Sequence, residues 1–121
     1  MALERGKLSD VVRIGAAATV GIITVASSKK VYVKSIICHH PGGGTVSTAT
    51  AQVYFVGTGA SAYTENRIFD VDIANGETVL LEPSYPLVLD TTGEALFVGT
   101  GNFVGAAATH LNVIITGDKE A

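Results

Sequence analysis

Residues 67–90 constrain the fold of this chain more than any other stretch. Phe69, Val71 and Ile73 alternate with two aspartates there, which is the period of two expected of a strand with one buried and one solvated face. A second short alternation, around Val79, follows after an Asn-Gly dipeptide. Because Asn-Gly between two alternating runs is a strong hairpin signal, the stretch predicts a β scaffold.

Register decides the length of the predicted hairpin loop. A three-residue loop, 74–76, pairs Val71 with Val79 and Phe69 with Leu81, so that every apolar partner lies on one face. A two-residue loop would pair Phe69 with a glutamate instead. The longer loop also places its glycine at the left-handed position of a type I turn with a G1 bulge, where glycine costs least.

The remainder of the chain shows further strand patterns and no convincing helix. Two prolines, Pro83 and Pro86, interrupt hydrogen bonding before a third strand at Leu87 and Leu89. The other predicted strands are two short ones within Val11–Ala26 with a break near 17–19, then Val31–His40, Thr45–Val56, Glu94–Val98 and Thr109–Thr116. A helix over 16–18 is the weaker alternative, and the state of 103–108 is left open.

Within these strands, alternation assigns particular residues to a shared face. In the predicted strand Val31–His40, Val33, Ser35 and Ile37 should face one way. In the closing strand, Leu111 and Val113 should share a face with Ile115. The glycine-rich run 42–44 and the polar segment 57–66 are predicted loops.

About eight short strands, separated by Gly-rich turns, favour an all-β antiparallel sandwich or barrel. The length of 121 residues suggests a single domain. We expect that domain over 11–121, preceded by a polar arm over 1–10 and ending in a polar tail over 117–121.

Composition excludes one class of protein and favours another. The single cysteine, Cys38, cannot form an internal disulfide, which argues against a disulfide-stapled secreted module. Hydrophobic residues make up 47% of the chain and charged residues only 16%. Because so small a domain cannot hide that much apolar surface alone, we expect self-association or assembly with other proteins.

Charge is distributed unevenly along the chain. Residues 1–34 carry six basic and two acidic residues, whereas residues 35–121 carry two basic and nine acidic ones. Such asymmetry can steer one part of a molecule onto an oppositely charged neighbour, including a second copy. The acidic bulk makes nucleic acid a poor partner. The most apolar run, 14–26, is too short to cross a bilayer, so no membrane association is expected.

Three histidines and the cysteine are the candidate chemical groups. Cys38 and His40 share a strand face, and His110 could approach from the last strand, but His39 points the other way. Tetrahedral metal sites need ligands at characteristic spacings, which these four residues do not have. A Cys38–His40 nucleophile pair would need a third group to orient it, and the sequence marks none. Solvated histidines at a strand end are the favoured interpretation.

Two other patterns are interpreted as structural. Asp70 and Asp72 occupy the regular solvated positions of an alternating strand, although paired carboxylates can also act in acid–base chemistry or bind calcium. The glycines of residues 99–105 lack the following helix that a phosphate-binding loop requires. We therefore expect no catalytic, cofactor-binding or metal-binding residues, no cofactor and no enzymatic activity.

Five segments together resemble small β-sandwich virion proteins of tailed bacteriophages. They are Lys30–His40, Ala51–Val56, Arg67–Glu77, Leu87–Asp90 and Leu111–Gly117. The resemblance covers most of the chain beyond residue 30 and is most like capsid decoration, or cement, proteins. It implies a jelly-roll-like sandwich, commonly trimeric, without enzymatic activity. Residues 11–26 do not match it.

Three functional hypotheses follow. The first is a capsid decoration protein, made in the host cytoplasm and located on the capsid surface of the virion, that clamps neighbouring major capsid protein subunits, with residues 1–10 as a contact arm. The second is a phage neck, tail or fibre component, in which the loop 57–66 makes the contact. The third is a small jelly-roll ligand-binding module or enzyme that uses His39, His40 or His110.

Overall fold

Ten β-strands build the described part of the molecule. A computed structural model describes residues 3–15, 18–26, 29–41, 48–100 and 110–120. The strands are β1 (Leu3–Lys7), β2 (Val12–Gly15), β3 (Thr19–Thr24), β4 (Val31–His39), β5 (Thr48–Val56), β6 (Arg67–Ala74), β7 (Thr78–Leu81), β8 (Leu87–Leu89), β9 (Ala95–Thr100) and β10 (His110–Glu120). One turn of 3₁₀ helix spans Thr64–Asn66 in the segment between β5 and β6.

The strands form two antiparallel sheets. In sheet I, β10 pairs on one side with both β1 and β2 and on the other with β4, and β4 pairs in turn with both β7 and β8. In sheet II the order is β3-β9-β5-β6. The predicted all-β sandwich is therefore confirmed.

The order of the strands is nested. With β1 and β2 counted as one position and β7 and β8 as another, the first strand pairs with the last, β3 with β9, β4 with β7 and β8, and β5 with β6. Eight positions nested in this way form a jelly roll. The edge that pairs with β4 is divided in two where Pro83 and Pro86 interrupt it, as the sequence predicted.

The predicted hairpin between β6 and β7 is wrong as a pairing. These strands lie in different sheets, since β6 pairs with β5 and β7 with β4. The turn itself is tight: Glu77 N donates to Ala74 O at 3.0 Å, and Gly76 has a φ of 81°, the left-handed conformation expected of it. Phe69 and Leu81 consequently face the interior from opposite sheets instead of being neighbours in one sheet.

A β-bulge in β4 overturns the predicted sidedness of that strand. The sequence put Val33 and Ile37 on one face, but Val33 is fully buried whereas Ile37 is only partly buried. Lys34 is an extra residue between the Gly117–Val33 and Thr116–Ser35 pairs. The inner row of β4 therefore switches from odd to even positions at the bulge.

Gly117 makes the bulge possible. The alternation of β10 is unbroken there, so its inner row, which includes the predicted Leu111 and Val113, continues to Gly117. A Cβ atom at this position would collide with the backbone carbonyl of Tyr32 on β4. The strand also continues through Lys119 to Glu120, where the sequence predicted a polar tail.

The N-terminal residues are part of the sandwich. Residues Leu3–Lys7 form β1 and pair with residues 116–120 of β10, whereas the sequence suggested a separate arm over 1–10. Leu8 continues the contact, since its backbone N donates to Ile115 O at 2.7 Å. Residues 3–9 thus cover one edge of β10.

The chain passes between the sheets near Ala18, as the predicted break in Val11–Ala26 requires. Thr100 at the end of β9 is almost fully buried there. Its Oγ1 donates to Gly15 O at 2.6 Å, and its backbone N donates to Ala18 O at 2.8 Å. One threonine thereby holds the end of β2 beside the start of β3.

The core consists of the inward rows of both sheets. Its buried members are Ile14, Ile23, Val25, Val31, Val33, Ile36, Cys38, Ala49, Ala51, Val53, Ile73, Leu89, Leu96, Val98, Leu111, Val113 and Ile115. Such closely interdigitated rows fix the register of every strand that contributes to them.

Several predictions fall wholly or partly outside the described residues. They concern the loop 42–44, the start of the strand predicted from residue 45, the segment 103–108, most of the glycine pattern 99–105, and residues 16 and 17 of the alternative helix.

Replacing Gly117 by alanine should destabilise the protein by about 2 kcal/mol or more, because the new methyl group meets a backbone carbonyl that cannot rotate away. Gly15→Ala is the matched control: Gly15 also lies in a strand of sheet I, and a Cβ there meets nothing within 4 Å. Urea denaturation would measure both free energies of unfolding. Equal effects of the two substitutions would contradict the role assigned to the bulge.

Candidate interaction surface

An apolar stripe crosses the outer face of sheet I. It consists of Ile114, Ile37 and Leu80, which are successive lateral neighbours on β10, β4 and β7. Leu80 is 54% exposed, and the two isoleucines are partly exposed. The stripe exists because the bulge turns Ile37 outward. On the far edge, Val11, which precedes β2, is 63% exposed.

Polar residues border the stripe on one side. Arg13, Asn112, His39 and Thr78 are lateral neighbours in the adjacent row. A hydrogen bond of 2.7 Å joins His39 Nδ1 to Thr78 Oγ1. This row takes one residue from each of four strands and gives the stripe a hydrophilic margin.

On the other side, the stripe is bordered by two hydroxyl groups and by the buried carboxylate of Asp118. Hydroxyl groups of Ser35 and Thr116 bond to each other next to the stripe. Beyond them, the Asp118 carboxylate lies 2.8 Å from Lys34 Nζ and 3.6 Å from Arg5 Nε, with a side chain only 9% exposed. Two cations compensate one buried anion, so this group is a structural ion-pair cluster with a positive outer surface.

A second apolar surface lies where the edges of the two sheets meet. A groove of about 270 Å³ opens between β6 of sheet II and the β7–β8 edge of sheet I. Phe55, Ile68, Phe69, Leu81, Pro83 and Leu87 line it. Ile68 is 48% exposed, and Tyr85 in the β7–β8 connection is 84% exposed.

The side of the molecule that carries this groove is strongly acidic. Residues 65–90, called here the acidic rim, carry Glu65, Asp70, Asp72, Glu77, Glu82 and Asp90 against the single base Arg67. Arg67 Nη2 lies 3.5 Å from Asp70 Oδ2, and Asp72 Oδ1 accepts a hydrogen bond from Thr50 Oγ1 at 2.9 Å. Among the residues that the structure describes, Glu65, Glu77 and Glu82 form no ion pair. Most of the negative charge is therefore uncompensated within the chain.

The opposite edge of sheet I carries basic residues. Three bases, Arg5, Lys7 and Arg13, lie on β1 and β2, and the exposed Val11 lies beside them. These four residues are called here the basic edge. Lys7 is paired with Asp10 at 2.6 Å, whereas Arg13 has no ion pair within the described part of the chain. Part of the asymmetry predicted from the sequence thus becomes two opposite sides of the sandwich, whereas Lys29 and Lys30 lie in a different region.

The structure separates the candidate chemical groups. Cys38 lies in the core, and burial raises the pKa of its thiol to about 11. A thiol with that pKa is protonated near neutral pH and is a poor nucleophile. His39 is the last residue of β4 and lies on the outer face beside Thr78. The Cys38–His40 pairing weighed from the sequence gains no support from this environment.

His40 and His110 lie at the same end of the sandwich. His40 is fully buried, so the solvated position favoured from the sequence is wrong for this residue. Its backbone is held by the β6–β7 turn through bonds with Glu77 O and Gly76 N, both 2.9 Å long. Burial lowers the pKa of His40, and the neighbouring His39 lowers it further. Burial also lowers the pKa of His110, with further contributions from Arg13 and His40.

No cluster suited to a metal occurs in the described part of the molecule: no three His, Cys, Asp or Glu side chains converge there. Asp70 and Asp72 lie on the solvated face of β6, as their alternation predicted. None of the described helical segments is long and apolar enough to cross a membrane.

The sequence did not reveal the apolar stripe. Ile37 and Ile114 read as members of ordinary strand patterns, and strict alternation placed Ile37 on the same face as Val33. The signal that could have exposed the error is Gly117, a glycine inside a strand pattern, because such glycines often mark a bulge or a close backbone approach.

Comparison with known proteins gives structural matches only. No protein-family model and no curated protein sequence matches the chain. Two solved structures are similar: that of infectious bursal disease virus Gt strain, at 14% identity and a TM-score of 0.41, and that of the Gx strain, at 12% identity and 0.44. The matches cover 98% of this chain but only 32% and 30% of those chains, so it spans about a third of their length.

Acidification should destabilise the protein as the pH falls below about 6.5, the ordinary pKa of histidine. The pKa values of His40 and His110 are lower in the folded chain than the ordinary 6.5, so the unfolded chain binds more protons as the pH falls. Stability is therefore retained above 6.5 and lost progressively below it. Thermal denaturation of the wild type and of His110→Gln would measure this, with pH 8 as the reference. The variant should show a shallower dependence, and parallel curves would contradict the assignment.

Proposed function

We propose that this chain is a non-enzymatic structural protein of a virion, and that it acts as a decoration, or cement, protein on the capsid surface of a tailed bacteriophage. In this role it binds neighbouring major capsid protein subunits and associates with copies of itself, as a trimer. The apolar stripe on the outer face of sheet I is the observation that carries the proposal.

The fold supports a structural role by analogy. Nested double-sheet jelly rolls occur in viral capsid domains, and also in lectins and cupins, so the fold leaves several functions open. The segments that resemble phage virion proteins include β4, β6 and the greater part of β10, which build both sheets. The fold and the resemblance therefore favour the same class of protein.

The surface supports assembly. A row of three apolar side chains with polar margins has the composition of an interface, an apolar centre surrounded by hydrophilic groups. Because the three side chains are lateral neighbours on adjacent strands, a partner with an apolar strip and acidic borders would complement Ile37, Arg13 and Lys34. A capsid subunit that presents such a strip is the proposed partner.

The chemistry favours a non-enzymatic role. Nucleophilic catalysis needs an activated thiol or hydroxyl, a base within reach and an orienting group. The raised pKa of Cys38 and its place in the core work against it, and His39 lies on the outer face. The shifted pKa values of Cys38 and His40 arise mainly from burial, which requires no catalytic role.

The copy number of the chain in purified particles tests the proposal. Quantitative mass spectrometry should find it at a ratio to the major capsid protein that approaches one, because a decoration protein repeats with the capsid lattice. A ratio far below that would favour a neck, tail or fibre component instead. Complete absence from particles would overturn the virion role.

Ile114→Asp should reduce binding to particles at least about tenfold while the chain remains folded, because it places a charge within the apolar stripe. Tyr63→Asp is the matched control: Tyr63 is 60% exposed and lies in the 57–66 segment, away from the stripe. Co-sedimentation with particles that lack the protein would measure both. Loss of binding with Tyr63→Asp alone would support the tail or fibre alternative.

A further inference from the structure

We propose that copies of this chain associate head to tail, with the acidic rim of one copy against the basic edge of the next. The inference rests on the self-association included in the proposed function, and it adds which surfaces meet. The occupant of the acidic rim is thus a second copy of the same chain.

Charge disfavours a symmetric contact at either side. The acidic rim has six acids and one base, so rim against rim would place like charges opposite one another. On the basic edge Arg5 is paired with Asp118 and Lys7 with Asp10, but Arg13 has no ion pair among the described residues, so edge against edge would bring two uncompensated arginines together. A contact between rim and edge pairs opposite signs in both directions.

The two sides are also placed for such a contact. The basic edge occupies the first strand position of sheet I, and β7 and β8 occupy the last. A contact between different surfaces of identical chains is heterologous, and it forms a closed ring when the rotation between copies closes. A threefold rotation would give the proposed trimer.

Exposed apolar residues distinguish the basic edge from the other positive region. Lys29 and Lys30, between β3 and β4, form that second region with Lys119. The large apolar side chains exposed in the described residues are Val11, Tyr63, Ile68, Leu80, Tyr85 and Val88. Three of these lie in the acidic rim outside the apolar stripe, one belongs to the basic edge, and none borders the lysines. An interface needs an apolar centre, so the basic edge is the better match.

The contact would also cover unpaired backbone. Among the residues that the structure describes, β1 forms hydrogen bonds to β10 on one side only, and β6, eight residues long, pairs only with β5. Exposed edges of this kind tend to pair with other chains unless they are covered or protected. The charges on both edges select each other and disfavour indiscriminate pairing.

Charge reversal and restoration test the contact on the purified chain. Lys7→Glu with Arg13→Glu, and separately Asp70→Lys with Asp72→Lys, should each weaken self-association at least about tenfold, as like charges then face each other. The chain with all four substitutions has the wild-type net charge and should associate as the wild type does. Sedimentation equilibrium at low and at high salt would measure the association constants.

Lys29→Glu with Lys30→Glu is the matched control, because it changes the net charge by the same amount at the other positive region. It should leave association unchanged. Loss of association in this control but not in the Lys7 and Arg13 variant would overturn the assignment, as would a four-substitution chain that stays dissociated. A monomeric wild type would overturn self-association itself, whereas the copy number in particles tests the virion role independently.

Discussion

The pairing of β10 with β4 across one extra residue determines how the rest of the molecule is arranged. The bulge at Lys34 lets Val33 and Ile36 both point into the core although they are three residues apart. It can form only because Gly117 presents no side chain to the carbonyl of Tyr32. Without the extra residue, strict alternation would turn Ser35 and Ile37 into the core and Ile36 outward. One insertion therefore produces a continuous core, an apolar outer stripe and the ion pair between Lys34 and Asp118.

The sequence predicted the faces of single strands better than the partners of those strands. Alternation in Phe69, Val71 and Ile73 identified the inward row of β6, because that pattern depends on one strand alone. The Asn-Gly signal identified the turn after it and the left-handed glycine, since both are local properties. Whether a tight turn joins neighbours in one sheet or carries the chain to the other depends on β5 and β4, which are remote in sequence. Local patterns do not contain that choice, and the bulge in β4 was lost for the same reason.

The surface was predictable in composition and not in position. Excess apolar residues indicated that some would lie outside, and the charge imbalance between residues 1–34 and the remainder indicated an electrostatically divided molecule. Neither could say that Ile37 and Ile114 become neighbours, or that the first strand position lies opposite the acidic residues of 65–90. Those relations arise from the nested order of the sheets, in which strands distant in the chain become adjacent.

Edges and faces place different demands on a sandwich of this size. An outer sheet face has its backbone hydrogen bonds complete, so its affinity for a partner depends on side chains such as those of the stripe. An outer edge retains unsatisfied backbone groups, and its affinity is harder to restrict to one partner. Arg13 on one edge and Asp70 beside the other supply the needed discrimination, because opposite charge favours one pairing while like charge disfavours the rest. In the proposed assembly the edges would be used between copies, which leaves the rigid face of sheet I free to bind the capsid.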